Sequence, residues 1–240
     1  MEWKTGNYDV TTTSALEWWF VVDPEGTEAT KVRDARADKQ WPAEEKLRSN
    51  PDEAQRSRMR QPKRADVFRG KRDEVDHQLA ELGQPRVQDS EFYGGRLYTG
   101  PLFEKYNAVL RAMPNLVPFF VNSYMELCMG NRYVGTLHAI NRLLLKLGKI
   151  KSAVKLYRGI SGMRLPDKFF HEDEHGLRGG IEFGFMSATS DQSVAMTYAS
   201  NKDPSLVYEI DQGMLDRGAS LQWFSQCTPR PPPLCPAPMS

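Results

Sequence analysis

The chain has 240 residues, 40% hydrophobic and 26% charged, with a formal net charge of +1 and a mean hydropathy of −0.58. That length holds one large domain, or one domain and an appendage. The near-zero charge argues against a polyanionic partner such as nucleic acid and against a membrane surface. No apolar run approaches the roughly 18–20 residues of a membrane span.

The N-terminus, MEWKTGNYDV, lacks the basic and apolar regions of a secretory signal. Cys128, Cys227 and Cys235 fit neither a disulfide framework nor a zinc site, so a reducing compartment, the cytoplasm by default, is expected.

In chain order, Ala15–Val22 is an apolar, aromatic run closed by Asp23-Pro-Glu-Gly26, which predicts a strand entering a loop. Residues 30–90 are interspersed with charge and poor in large apolar side chains. The basic stretch 56–64 is offset by Asp52, Glu53 and Asp66, as on a solvated helix face or linker. The segment 1–90 is therefore expected to be a charged, partly helical and weakly anchored appendage.

Residues 91–150 carry three helical stripes. The first is Leu102, Phe103, Tyr106, Val109 and Leu110, and the second Leu116, Phe120, Tyr124 and Leu127. The third is Leu137, Ile140, Leu143, Leu144 and Leu147, with Gly148 placed as a C-cap and His138 off the stripe.

From 151 the period changes. Val154 and Leu156 alternate with Lys155 and Tyr157, predicting a strand that ends near Arg158-Gly159. Phe183, Phe185 and Ser187 share one face of a second expected strand. Ser190 is read as a helix N-cap, with Val194, Ala195 and Tyr198 inward. Leu206–Ile210 and Ala219–Phe224 complete four expected strands. Helices first and strands after predict an α+β fold. Residues 227–240 contain six prolines and read as extended polyproline-like chain or disorder.

Neither a P-loop nor a G-x-G-x-x-G turn occurs. His171 and His175 stand four apart in a charged loop without helical signals, which argues for solvent rather than metal. The informative pair is Leu156-Tyr157-Arg158-Gly159 and, about thirty residues on, Gly184-Phe-Met-Ser187-Ala188-Thr189-Ser190.

That pair resembles the first two parts of the R-S-E signature of NAD(P)-dependent, arginine-specific mono-ADP-ribosyltransferases. The segments Leu97–Leu110 and Arg217–Gln226 are similar to the same family, so the resemblance covers about residues 91–226. It implies a helical part packed on a mixed, mostly antiparallel ADP-ribosyltransferase-type β core. It also implies that ADP-ribose passes from NAD to a protein arginine with release of nicotinamide. Arg158 then matches the cation for the two phosphates, where a planar guanidinium suits their oxygens. Gly159 matches the close approach to the nicotinamide amide. Ser187 matches the serine that orients the catalytic carboxylate. Tyr157, Phe183 and Phe185 are candidates for the nicotinamide wall or for ordinary core.

Two departures stand out. Ala188 takes the place of the middle hydroxyl of the S-T-S element. The E-x-E motif expected just beyond Trp223–Gln226 is missing, and no Asp or Glu follows Asp216. A shifted frame or mis-spliced junction after Gln226 would produce this switch to proline-rich sequence. Glu209 and Asp211 have E-x-E spacing but sit one strand early. The sequence thus leaves three readings open: a transferase impaired as written, a non-catalytic NAD-binding protein, and a protein-interaction fragment.

Overall fold

The computed structural model describes residues 21–23 and 63–226, apart from 101, 115, 116, 153, 201 and 214–216. Residues 15–20, most of the 56–64 basic stretch, Leu116, Cys227, Cys235 and the proline-rich tail lie outside the described residues.

The chain pairs β1 (Val22–Asp23) in parallel with β2 (Lys63–Arg64). Five helices follow: α1 (Ala65–Glu81), α2 (Asp89–Tyr98), α3 (Phe103–Ala112), α4 (Pro118–Cys128) and α5 (Val134–Lys149). Then come β3 (Leu156–Ser161), α6 (Gln192–Ala199) and β4 (Ser205–Ile210). Short 3₁₀ turns occupy Asp167–Phe170 and Gln222–Phe224. Helices and a small antiparallel sheet coexist, and the α+β expectation holds.

α1 is anchored more firmly than its charged sequence suggests. Phe68, Val75 and Leu79 lie on one helical face and are buried. They join Phe92, Leu97, Ile140, Leu143 and Phe224 in one core, so no break in packing falls at residue 90. Val21 is buried in the same core. α1 ends in a Schellman motif, in which Gly83 at φ 64° and Gln84 donate to Ala80 and Leu79. The sparse apolar residues mislead because a single face suffices to dock a helix.

α2 starts at a capping box, where the Gln88 N–H donates to Glu91 at 2.8 Å. Its Gly95 allows close approach to α5, since a Cβ there would lie 2.3 Å from Leu143 Cδ2. Glu91 is 1% exposed and accepts from Lys146 at 2.7 Å and Arg142 at 2.7 Å. The stripe on α5 is seen as expected, with Ile140, Leu143 and Leu147 buried and His138 exposed. Gly148 does not cap that helix, which runs one residue further to Lys149. Gly148 is instead needed for packing, because a Cβ would sit 3.1 Å from the Arg217 carbonyl. The second stripe differs: Phe120, Tyr124 and Leu127 are only half-buried, because α4 packs mainly on α3.

The sheet is smaller than expected. β3 and β4 pair antiparallel, with Arg158 opposite Tyr208 and Tyr157 opposite Glu209. β3 continues past Gly159 to Ser161, while Val154 stands exposed before it. Residues 181–188 form no strand; only Thr189 bridges to Tyr157. Ala219–Phe224 is not a strand either, but a 3₁₀ turn that buries Leu221 and Phe224 in the helical core. Arg96 and Thr99 hold it by donating to the Phe224 carbonyl, at 2.8 and 2.7 Å. Asp191, not Ser190, caps α6 by accepting from Ser193 N–H at 2.8 Å. Ala195 is buried as expected, Val194 and Tyr198 are half-buried, and Ala199, not expected inward, is buried. No helix among the described residues is long and apolar enough to cross a membrane.

Candidate functional site

Arg158 points from β3 toward the helical part. Strand alternation puts Leu156, Arg158 and Ile160 on one face of β3, and Tyr157 and Gly159 on the other. The Arg158 guanidinium is half-buried and donates through Nη1 to the Ser187 carbonyl at 2.8 Å. Burial lowers its pKa, and the nearby Glu182 charge acts in the opposite direction. An arginine stays cationic under any ordinary condition. One N–H thus fixes the side chain against Ser187, and the planar fork retains further donors.

Ser187 is fixed from the other side. Its Oγ lies 3.2 Å from the Tyr98 hydroxyl at the end of α2. The Tyr98 ring meets Phe185 edge-on at 5.2 Å, and its hydroxyl reaches the Phe185 carbonyl at 3.5 Å. Burial raises the Tyr98 pKa, against hydrogen bonds from Ser187 and Asn107 and the charges of Arg158 and Arg111. Tyr98 is therefore a neutral hydroxyl at physiological pH.

α3 completes the surround. Asn107, 5% exposed, accepts from the Phe185 N–H at 2.8 Å. Arg111 forms a two-bond fork with Glu182, both contacts at 2.9 Å. Glu182 also accepts from the Gly184 N–H at 2.7 Å. Burial works to raise the Glu182 carboxyl, but Arg111, the Gly184 N–H and Arg158 outweigh it and hold it below its ordinary value.

Arg158, Ser187 and Phe185 are therefore brought together. Tyr157 and Gly159 lie on the opposite face of β3. Phe183 is 45% exposed and stands apart from the Tyr98–Phe185 contact. Gly159 faces α6, where a Cβ would fall 1.8 Å from the Ala195 carbonyl oxygen. Helix packing alone accounts for a glycine there. Ala188 is buried, and the Thr189 hydroxyl accepts from the Asp191 N–H at 3.1 Å, so both serve the turn into α6. Glu209 shares the Tyr157 face rather than the Arg158 face, and pairs with Lys155 at 3.2 Å. His171 and His175 are exposed.

Tyr98, Asn107, Arg111 and Glu182 were not singled out by sequence. A buried asparagine within the apolar stripe of α3, with an arginine four residues on, is the signal that marks them. Among the described residues no group of three or more His, Cys, Asp or Glu is arranged to hold a metal ion. Comparison with models of known protein families, with curated proteins and with solved structures finds no match.

Proposed function

We propose that this chain carries the NAD-binding site of an arginine-directed mono-ADP-ribosyltransferase and that, with the sequence it has after Gln226, it binds NAD with little or no transfer. The supporting observation is that Arg158 and Ser187, the two motif residues, touch across the gap between β3 and the 182–187 segment. A half-buried guanidinium with donors to spare suits a diphosphate, whose oxygens match its fork. Phe185, braced by Tyr98, offers an aromatic surface beside it.

Transfer breaks the bond between ribose and nicotinamide and develops positive charge on the sugar, as in glycoside hydrolysis. A carboxylate facing that charge supplies the main electrostatic stabilisation. Glu182 is near Arg158 but already neutralised by Arg111. Glu209 belongs to the other face of the sheet. The geometry therefore favours binding over turnover, and loss of such a group lowers rates by several orders of magnitude elsewhere.

Calorimetric titration with NAD, alongside transfer of labelled ADP-ribose to an arginine analogue, tests the reading. NAD binding that Arg158→Ala weakens about tenfold or more is expected, as for a charged hydrogen-bond partner. Equal NAD binding by wild type and a folded Arg158→Ala would refute the site, and efficient transfer would refute the non-catalytic part.

A further inference from the structure

The outer edge of β4 is open. Tyr157 exchanges both of its backbone hydrogen bonds with Thr189, at 2.7 and 2.8 Å, on the side of β3 away from β4. Alternation then turns the peptide groups of Leu156, Arg158 and Ile160 toward β4, where they oppose Ile210, Tyr208 and Leu206. The other residues of β4, Ser205, Val207 and Glu209, therefore aim their N–H and C=O groups outward. Among the described residues no group hydrogen-bonds to them, since the sheet has two strands and no backbone bond outside it reaches 205–210. α6 packs mainly on β3, against Gly159, rather than on β4. An edge strand is ordinarily guarded by Lys, Pro, a bulge or a covering segment. β4 has an unbroken register and neither Lys nor Pro between Ser205 and Ile210. Its one charge, Glu209, is paired with Lys155 at 3.2 Å. A sheet of two strands is marginal until a third joins it.

We propose that β4 pairs with β4 of a second copy of this chain, antiparallel about a two-fold axis at Val207, so that the two small sheets join into one. A two-fold axis makes such a pair antiparallel and self-complementary. Centred there, the outward groups of Ser205, Val207 and Glu209 meet those of the partner's Glu209, the partner's Val207 and the partner's Ser205, and form up to about six hydrogen bonds. The side chains fit the same register. Leu206 stands opposite the partner's Tyr208, twice over by symmetry, which extends the apolar face that carries Leu156 and Ile160. Glu209 stands opposite the partner's Ser205, a hydroxyl, so no like charges meet. The hydrogen bonds alone would suit any extended peptide; the side-chain match selects a second copy. Residues 227–240 do not suit the edge, since none of their six prolines has an N–H to donate.

The inference stands apart from the NAD reading, because Ser205, Val207 and Glu209 take no part in the Arg158–Ser187 contact. Its test is sedimentation velocity of the full chain over a range of concentrations, with amide hydrogen exchange on the same samples. Reducing conditions keep cysteine cross-links from contributing. The expected result is a monomer–dimer equilibrium. The Val207 and Glu209 amides exchange freely in dilute solution and slow as dimer forms, while those of Leu206, Tyr208 and Ile210 are protected throughout. Val207→Pro removes an outward N–H and leaves the bonds to β3 in place, so it should weaken the dimer about tenfold or more. A protected Tyr208 amide shows that the variant still folds. Ser205→Glu, which sets a carboxylate against the partner's Glu209, should weaken the dimer several-fold, and Ser205→Lys should tighten it. A monomer at every concentration up to the solubility limit overturns the proposal. So do Val207 and Glu209 amides already protected in the dilute monomer, which would mean that the chain covers its own edge. A dimer indifferent to Val207→Pro and to the charge at 205 overturns it as well, because another surface then holds the copies together.

Discussion

Replacing Gly159 by alanine separates two explanations for the same residue. The family resemblance gives it to a ligand that must approach the backbone, whereas the fold gives it to α6. An alanine Cβ would lie 1.8 Å from the Ala195 oxygen, 2.7 Å from its carbonyl carbon and 2.9 Å from the Ala199 nitrogen. Ordinary carbon–oxygen contacts begin at roughly 3.3 Å, so α6 would have to retreat by about 1.5 Å. All three obstacles are backbone atoms, and no rotamer change relieves them. Overpacking of this kind costs about 1–3 kcal/mol when side chains can adjust, so about 3 kcal/mol or more is expected here. For a chain of this size that lowers Tm by about 6–12 °C. Thermal unfolding followed by circular dichroism reads the shift, and NAD titration of the folded variant reads the site. A Tm within about 2 °C of wild type, combined with lost NAD binding, would refute the packing argument and return Gly159 to the ligand.

Other consequences follow from buried charge. Glu91→Gln leaves Lys146, 7% exposed, without its counter-ion and should destabilise the fold by about 3–5 kcal/mol in urea titration. For Glu91, burial acts to raise the pKa, but Lys146, the Gln88 N–H and Arg142 outweigh it, so the folded value lies below the ordinary one. Its contribution is present above about pH 4.3, the unfolded value, and is lost as pH falls through the folded value. The acid limb of the stability profile should therefore flatten in Glu91→Gln; an unchanged limb would sink the assignment. Cys128 is buried and its thiol is pushed up to about 11, so at pH 8 only about one molecule in a thousand carries a thiolate there. Mass spectrometry after alkylation of the native chain should find Cys128 unlabelled and find it labelled after denaturation.

Helices α3 to α6 were legible because their signals are local, whereas α2 carried no stripe that set it apart. The 3.6-residue spacing of Leu137, Ile140, Leu143 and Leu147 gave α5, and only its last turn was misplaced. β4 was legible for the same reason, from alternation within six residues. α1 was under-read because Phe68, Val75 and Leu79 are spread through seventeen residues otherwise rich in charge. Its anchoring depends on a distant partner: Phe68 meets Trp223 edge-on at 5.4 Å. Trp223 itself was assigned to a strand from its apolar neighbours. A short apolar run has no property that distinguishes a strand from a buried 3₁₀ turn. Buried Arg96 decides it, donating through Nη1 to both the Phe224 and Ser225 carbonyls, which lie 128 and 129 positions further along the chain.

The 182–189 segment shows the same limit at the site itself. Its alternation of Phe183, Phe185 and Ser187 is that of a strand, yet side chains rather than a neighbouring strand satisfy much of its backbone. Glu182 takes the Gly184 N–H, Asn107 takes the Phe185 N–H, Tyr98 reaches the Phe185 carbonyl, and Arg158 donates to the Ser187 carbonyl. Ladder pairing begins only at Thr189, whose N–H and carbonyl both meet Tyr157. A strand there would need those donors and acceptors for itself. Because they are committed to side chains from α2, α3 and β3, residues 182–188 stay outside the ladder and tie three elements to one point. Arg158 and Ser187 meet at that point, so the two sequence motifs come together although the sheet expected around them did not form.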